Sequence, residues 1–131
     1  MNRLKLVNQE KFLNSIMNMS KHVRYVSIYD LQGNVLYKQK MDGVVDLLTE
    51  EENKIALKHT VDSWNFRNTV SEKIGKAEFT IQVYEKLLRV IFPFNNEMLL
   101  IITLDNAERP NYIVERIQTI LYGSPHKFGK I

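Results

Sequence analysis

Two short apolar segments around a glycine turn, followed by a strong helix start, constrain this chain more than any other feature. Residues 24–29 and 35–40 flank a turn in which Gly33 can adopt the positive φ that a tight hairpin needs. Beyond them, Thr49 and Glu52 have the spacing of a capping box, which marks the start of a helix. Strand, turn, strand and helix in this order predict a small α+β domain.

The length and composition of the chain agree with one domain. It has 131 residues, of which 44% are hydrophobic and 25% charged, as in a globular protein with a normal core. Neither a linker nor an internal repeat divides it. We therefore expect a single domain over residues 1–131, with an ordered core at about 8–122 and a mobile basic tail at 124–131.

Cysteine content, charge and apolar runs argue against several classes of protein. The chain has no cysteine, so disulfides and thiolate metal sites are excluded and a cytoplasmic location is expected. The net charge is only +3 and the basic residues are scattered, so no nucleic-acid surface is expected. The longest apolar run, at 98–102, is far shorter than the ~20 residues that span a bilayer, so no membrane interaction is expected.

Three helices are predicted from apolar residues that recur every three or four positions. They cover residues 8–21, with Asn8 as the N-cap, then 49–74, and finally a segment from Pro110 to Gly123. Glu50, Glu51 and Glu52 complement the dipole of the second helix and are not expected to converge on a cation. Because that helix is long for a small domain, a break at 65–68 remains open.

Three further strands are predicted between the second and third helices. Residues 77–84 alternate between apolar and polar side chains, and residues 88–92 form a short strand that Pro93 closes. Residues 98–104 are almost continuously apolar, as in a strand buried on both faces.

The apolar content of each strand predicts its place in the sheet. The first and fifth strands are the most apolar and should be central neighbours. The second strand carries lysines and the third alternates cleanly, so both should be edges. The fold class is therefore α+β, with α-β-β-α-β-β-β-α topology and a five-stranded antiparallel-type sheet of order 2-1-5-4-3.

The hairpin and the helix after it carry a family resemblance. Residues 25–36 and the long helix 49–74 resemble the roadblock / dynein light-chain family, which has the profilin-like fold. A closer likeness is to a family of small proteins from ammonia-oxidising archaea that carry no established activity. The residues behind that likeness are Ile28-Tyr29-Asp30 with Gly33, the segment 47–51, Trp64, and Tyr84-Glu85-Lys86 with Arg89 and Pro93.

The roadblock resemblance implies a mode of action without chemistry. Proteins of that family are typically non-catalytic, dimerise through the long helix and the edge strand beside it, and serve as platforms for small GTPases or motor complexes. On this chain the implied homodimer surface is the outer face of 49–74 together with strand 77–84. The candidate interface residues are Trp64, Phe66, Val70, Phe79 and Ile81.

Trp64 and Phe66 stand out within the long helix. Two helical positions correspond to about 200° around the axis, so both rings cannot face the same core. One ring should pack inward, while the other is exposed or buried by a partner, as aromatic residues often are at interfaces. The alternative is that a break in the helix lets both rings enter the core.

No catalytic, metal or cofactor site is predicted. The histidines are His22, His59 and His126, and although His59 and Asp62 share a helix face, no third ligand stands at a matching spacing. Asp30 is interpreted as a turn residue that bonds its own backbone. Lys86, Arg89, Lys127 and Lys130 are interpreted as solvated surface charges.

These observations predict a non-catalytic protein-interaction or regulatory module that forms a homodimer. A small GTPase is a possible partner by family analogy only. The alternative is a small-molecule-sensing domain of PAS/profilin-like shape, with its ligand between the sheet and the long helix. An enzyme is not expected, because neither a nucleophile nor an acid–base pair can be named.

Overall fold

A computed structural model describes residues 3–107 and 110–123 of the chain. The helices are α1 (Arg3–Met17), α2 (Glu50–Thr69), α3 (Ser71–Ile74) and α4 (Pro110–Tyr122). The strands are β1 (Val23–Asp30), β2 (Val35–Lys40), β3 (Thr80–Val83), β4 (Leu87–Asn95) and β5 (Met98–Asp105). The predicted tail at 124–131, with His126, Lys127 and Lys130, lies outside the described residues.

The five strands form one antiparallel sheet of order β2-β1-β5-β4-β3, which confirms the predicted order. β5 is central and buried along nearly its whole length, in keeping with its apolar sequence. β2, which ends in lysines, and β3 are the edges. The strand-by-strand hydrophobicity was therefore sufficient to place every strand.

Three predicted boundaries are wrong. α1 begins at Arg3 and not at Asn8, since the leucines and lysine before Asn8 are good helix formers. β3 is shorter than predicted, only Thr80–Val83. β4 continues past Pro93, which lies opposite Leu99, and its register shifts directly afterwards. A proline is tolerated at such an irregularity because the ladder loses its regular hydrogen bonds there anyway.

The sheet separates two hydrophobic clusters. On one face, α1 and α4 cover the larger cluster, which includes Ile16, Val26, Phe92, Leu100 and Ile117. On the other face, α2 covers a smaller cluster made of Val61, Trp64, Ile91, Leu99 and Ile101. Because this second cluster is small, α2 leaves part of its face of the sheet uncovered by apolar packing.

The start of α2 is a complete capping box, as predicted. The Thr49 hydroxyl accepts from the Glu52 amide at 3.1 Å, and the Thr49 amide donates to the Glu52 carboxylate at 2.9 Å. The three glutamates of the first turn lie at the positive end of the helix dipole.

α2 ends at Thr69, with Val70 as its C-cap, slightly beyond the possible break at 65–68. The Thr69 hydroxyl donates to the Phe66 carbonyl at 2.6 Å, and the Ser71 hydroxyl donates to the Asn68 carbonyl at 2.9 Å. Such local side-chain bonds compete with the backbone ladder, and two β-branched residues at 69–70 weaken it further. Gly75, at φ 94°, then ends α3.

The β1–β2 turn confirms the interpretation of Asp30. One carboxylate oxygen of Asp30 accepts from the backbone amides of Gln32 and Asn34, at 3.0 and 2.8 Å, and the other accepts from the Asn34 side chain at 2.9 Å. These bonds to the ionised form, led by the one from the Asn34 side chain, lower the pKa of Asp30 from its usual value. Gly33 has the expected positive φ, 91°.

Candidate functional site

A groove runs between α2 and the β3–β4 side of the sheet, and we call it the α2 groove. Its volume is about 530 Å³. The residues that line it are Leu48, Glu52, Ile55, Ala56, His59, Thr60, Ser63, Trp64, Arg67, Thr80, Gln82, Tyr84, Arg89 and Ile91. A second, smaller space of about 50 Å³ adjoins it beneath the first half of α2, and Arg89 and Thr60 line both.

The groove exists because α2 packs on the sheet mainly through its second half. Val61 and Trp64 contact the cluster of Ile91, Leu99 and Ile101. Beneath the first half of the helix, the sheet presents polar side chains instead. Residues in register across β3, β4, β5 and β1 form one row on this face, namely Gln82, Arg89, Thr103 and Tyr25.

Arg89 is the most unusual member of this polar row. Its residue is only 9% exposed. Among the described residues, no hydrogen bond or ion pair reaches its guanidinium, although a guanidinium has five donors and remains cationic. A cation with so little exposure and no acidic partner is less favourable than one at the open surface.

Three polar atoms near Arg89 are also buried without hydrogen-bond partners in the described part of the chain. They belong to Gln82, Thr103 and Ser27, specifically Gln82 Oε1, Thr103 Oγ1 and Ser27 Oγ. Gln82 and Thr103 flank Arg89 directly in the sheet register. Buried polar groups are normally satisfied, so these three atoms mark a place where water or a ligand can bind.

The second arginine of the groove is bonded differently. Arg67 Nη1 donates to the Thr80 hydroxyl, and the guanidinium carbon lies 5.4 Å from the centre of the Trp64 ring. This cation–π contact and hydrogen bond hold Arg67 against the wall of the groove. Arg67 therefore joins α2 to β3.

The interpretation of Arg89 as a solvated surface charge is wrong. Sequence reasoning missed it because the residue was grouped with Lys86, which is indeed exposed. A signal was available, since Arg89 interrupts the apolar run of β4 and Thr103 interrupts that of β5. Only the register shows that the two interruptions are neighbours.

The outer face of α2 carries exposed apolar side chains. Phe66 is 67% exposed, Ile55 is also exposed, and Ile74 of α3 is more exposed still. Val83 ends the edge strand β3 and Tyr84 follows it at the groove, and both are exposed. Exposed apolar groups of this size are often part of an interaction surface.

The structure does not bring the five candidate interface residues together on one surface. Trp64 is buried beneath α2, Phe66 points to the opposite side, and Val70 is half-buried at the helix break. Phe79 and Ile81 pack against the α1/α4 cluster, with the Phe79 ring 5.7 Å from that of Phe92. The alternative in which both rings of α2 enter the core is wrong for Phe66.

The remaining chemical candidates are accounted for locally. No group of three potential metal ligands gathers anywhere in the described residues. Asp62 forms an ion pair with Lys58 at 2.8 Å, and His59 is exposed at the groove rim. None of the helices described has the length and apolar character needed to cross a membrane.

Comparisons with known proteins bear on the fold. No protein-family model matches the chain, and no curated protein matches it either. Several solved structures do resemble it. An MglB with tetrameric arrangement superposes with a TM-score of 0.73 and 10% identity, over 94% of this chain and 89% of the other.

Two further structures agree with the first. The gliding protein MglB from Thermus thermophilus superposes with a TM-score of 0.65 and 10% identity, over 95% of this chain and 96% of the other. A roadblock/LC7 domain from Streptomyces avermitilis gives a TM-score of 0.64 and 6% identity, over 86% and 91%. At such identities the likeness concerns the fold alone. The chain therefore has the α+β fold of roadblock/LC7 domains.

Proposed function

We propose that this protein is a non-catalytic interaction or regulatory module that forms a homodimer. The surface we assign to the dimer is the outer face of α2 together with the free edge of β3. The observation that carries the proposal is the exposed apolar face of α2, which ends in Phe66 at 67% exposure. Phe66 lies in the last turn of α2, and a partner that covers its ring would remove a large apolar group from water.

The spacing of the exposed residues supports this assignment. Ile55 and Phe66 are eleven positions apart, which places them about 20° apart around the helix axis, three turns from each other. The side chains of α2 that face the sheet, such as Trp64, lie on the other side. α2 thus turns two exposed apolar side chains, Ile55 and Phe66, away from its own core, and Ile55 also lies at the rim of the α2 groove.

The position of β3 supports a contribution from the sheet. β3 is an edge strand whose only neighbour among the described strands is β4. Its exposed backbone groups can pair with the same strand of a second copy, in the manner of strand addition. A two-fold axis at this edge would bring the two α2 outer faces to the same side of the joined sheets.

The comparisons support the proposal by analogy. One similar structure is described as having a tetrameric arrangement, so proteins of this fold can self-associate. A small GTPase is the partner that the roadblock resemblance suggests. We also propose that the chain is related to the small proteins of ammonia-oxidising archaea that it resembles. A cytoplasmic location is proposed because the chain has no cysteine.

A second candidate function is the sensing of a small molecule, and the α2 groove favours it. A volume of about 530 Å³ is in the range of ligand sites, and the groove lies between the sheet and the long helix. The groove and the assigned dimer surface adjoin, since Ile55 and β3 belong to both, whereas Phe66 belongs to the dimer surface alone.

The test of the dimer is absolute mass by light scattering after size exclusion, over a range of concentrations. We expect about twice the chain mass of 15.4 kDa for the wild type. Phe66→Glu should give the monomer mass, because it places a charge in the apolar contact. The matched control is Tyr112→Glu, which puts the same charge on an exposed aromatic position of α4. A monomeric wild type, or a dimeric Phe66→Glu, would contradict the proposal.

A further inference from the structure

We propose that the α2 groove is a binding site for a small organic anion, with a carboxylate or phosphate head group held by Arg89 and an apolar body lying against Trp64. The inference deepens the second candidate function, ligand sensing, and is independent of the homodimer. Its basis is the low exposure of Arg89, which has no hydrogen-bond partner among the described residues, together with the buried hydroxyls of Thr103 and Ser27 beside it.

The charge of Arg89 is the first argument. Arg89 is 9% exposed and no acidic side chain among the described residues pairs with it, while its guanidinium nitrogens are not among the fully buried atoms, so the cation can meet an anion that enters from the groove. Glu52 is the acidic residue that lines the same groove, but its carboxylate accepts from the Thr49 amide in the capping box. The groove therefore keeps a net positive charge from Arg67 and Arg89.

The hydroxyl groups around Arg89 are the second argument. Thr103 Oγ1 and Ser27 Oγ are both buried without partners in the described part of the chain, and both residues line the small space that Arg89 also lines. Hydroxyl hydrogens can rotate to donate to an anion that the guanidinium binds. A guanidinium can donate two parallel hydrogen bonds to a carboxylate or a phosphate, and the adjacent hydroxyls can donate further bonds to the same oxygens.

The rest of the groove fits an apolar body. The walls of the groove also include the apolar residues Trp64, Ile91 and Leu48, and the volume of about 530 Å³ is that of a small-molecule site. Trp64 is already fixed on one side by Arg67, so its ring is pre-oriented. A polypeptide carboxylate from a partner is the competing occupant, but the buried head-group site suits a free ligand that can enter the groove end-on.

The experiment uses two fluorescent probes on the full chain. The anion is 8-anilinonaphthalene-1-sulfonate, and the neutral probe is N-phenyl-1-naphthylamine, which has the same rings without the sulfonate. We expect one anion site per chain in the wild type. Arg89→Gln should weaken binding of the anion by about tenfold, the value of one charge-assisted hydrogen-bond interaction, and should change binding of the neutral probe by less than about twofold.

Two control variants separate the site from general effects. Arg116→Gln removes the same charge from an exposed position of α4, on the other face of the sheet, and should leave anion binding unchanged. Thr103→Val keeps the shape of a buried strand residue and removes only the hydroxyl, so it should weaken anion binding by about threefold. Circular dichroism shows whether each variant is folded. If Arg89→Gln does not fold, the affinity of Thr103→Val for the anion decides the outcome.

Competition distinguishes the head groups. Sodium phosphate and sodium benzoate, each compared with sodium chloride at equal ionic strength, should displace the anionic probe, and the stronger competitor identifies the head group. Displacement by neither would overturn the proposal. The proposal would also be overturned if Arg89→Gln and Thr103→Val both bound the anion within about twofold of the wild type. The same holds if the folded wild type did not bind the anion.

The same samples separate this proposal from the homodimer. Phe66 does not line the groove, so Phe66→Glu should keep the anion site whether or not it becomes monomeric. A monomeric wild type with the expected Arg89 dependence would remove only the dimer. If the protein is a dimer and Arg89→Gln does not change its affinity for the anion, only the proposal of an anion site is overturned. A carboxylate of a partner polypeptide would then be the alternative occupant of the groove.

Discussion

Trp64 and Phe66 lie two residues apart on α2, yet Trp64 is 4% exposed and Phe66 is 67% exposed. The difference follows from the helix, which turns about 200° between the two positions. Trp64 packs against the sheet with Val61, and Phe66 lies on the outer face. One helix therefore presents apolar side chains in two opposite directions, one toward its own core and one toward solvent.

This relationship predicts very different costs for removing the two rings. Trp64→Ala should lower the free energy of unfolding by about 3–5 kcal/mol, because it leaves a cavity in a small cluster. Phe66→Ala is the matched control and should change the free energy of unfolding of a dilute, monomeric sample by less than about 0.5 kcal/mol. Urea unfolding followed by circular dichroism measures both values, and equal costs would contradict the structure.

The unpaired state of Arg89 predicts a stabilising substitution. Arg89→Leu should raise the free energy of unfolding by about 1 kcal/mol, because it replaces a largely buried cation that has no acidic partner among the described residues with an apolar side chain. The matched control is Arg24→Leu, since Arg24 donates to Asp105 at 2.8 Å and to the Val45 carbonyl at 2.5 Å. Arg24→Leu should lower the free energy of unfolding by about 1 kcal/mol.

Thermal unfolding in ligand-free buffer compares these two arginine variants. Opposite shifts in melting temperature are the expected result. A marked loss of stability in Arg89→Leu would mean that Arg89 contributes to the fold itself, which would weaken the case for a binding role.

The capping box predicts a local contribution to stability. Thr49→Ala should lower the free energy of unfolding by about 1 kcal/mol, because the Glu52 amide loses its acceptor. Thr119→Ala serves as the control, since Thr119 lies exposed inside α4 and its hydroxyl bonds only the Glu115 carbonyl. That change should be neutral or slightly stabilising, because alanine is the better helix former. Chemical unfolding curves that show equal losses would argue against the capping box.

The β1–β2 turn predicts a pH effect. The bonds from Asn34 and the backbone favour ionised Asp30, so its pKa in the folded state lies below the usual value of 3.8. The resulting stabilisation is complete above the unfolded-state pKa and is lost as the pH falls through the folded-state pKa. Carboxyl NMR titration should show the low midpoint in the wild type and a midpoint closer to 3.8 in Asn34→Ala. An unchanged midpoint in that variant would exclude the Asn34 side chain as the main cause.

Sequence patterns predicted the sheet more accurately than the ends of its strands. The nearly continuous apolar run of β5 required burial on both faces, and the lysines of β2 required an edge, so the order followed. The ends of β4 and α1 were wrong, since Pro93 and Asn8 act through weak local preferences that tertiary packing overrides.

The sequence predicted only part of the candidate interface around α2 and β3. Helical geometry showed that Trp64 and Phe66 face opposite ways, but the choice of which ring is buried depends on the sheet beneath α2. Phe79 and Ile81 were assigned to the interface because the roadblock resemblance implies dimerisation through this edge strand, and the resemblance does not say which face of the strand each side chain occupies. Their packing against the α1/α4 cluster could not be read without the helices in place.

By itself, the sequence determined the α+β class, the strand order, the capped start of α2 and the Asp30 turn, because each depends on contacts between residues close in the chain or on the apolar content of one strand. Only the tertiary structure decided that Arg89, Thr103 and Ser27 meet beneath α2. They come from three strands, and antiparallel register, which depends on the packing of the whole sheet, is what brings them together.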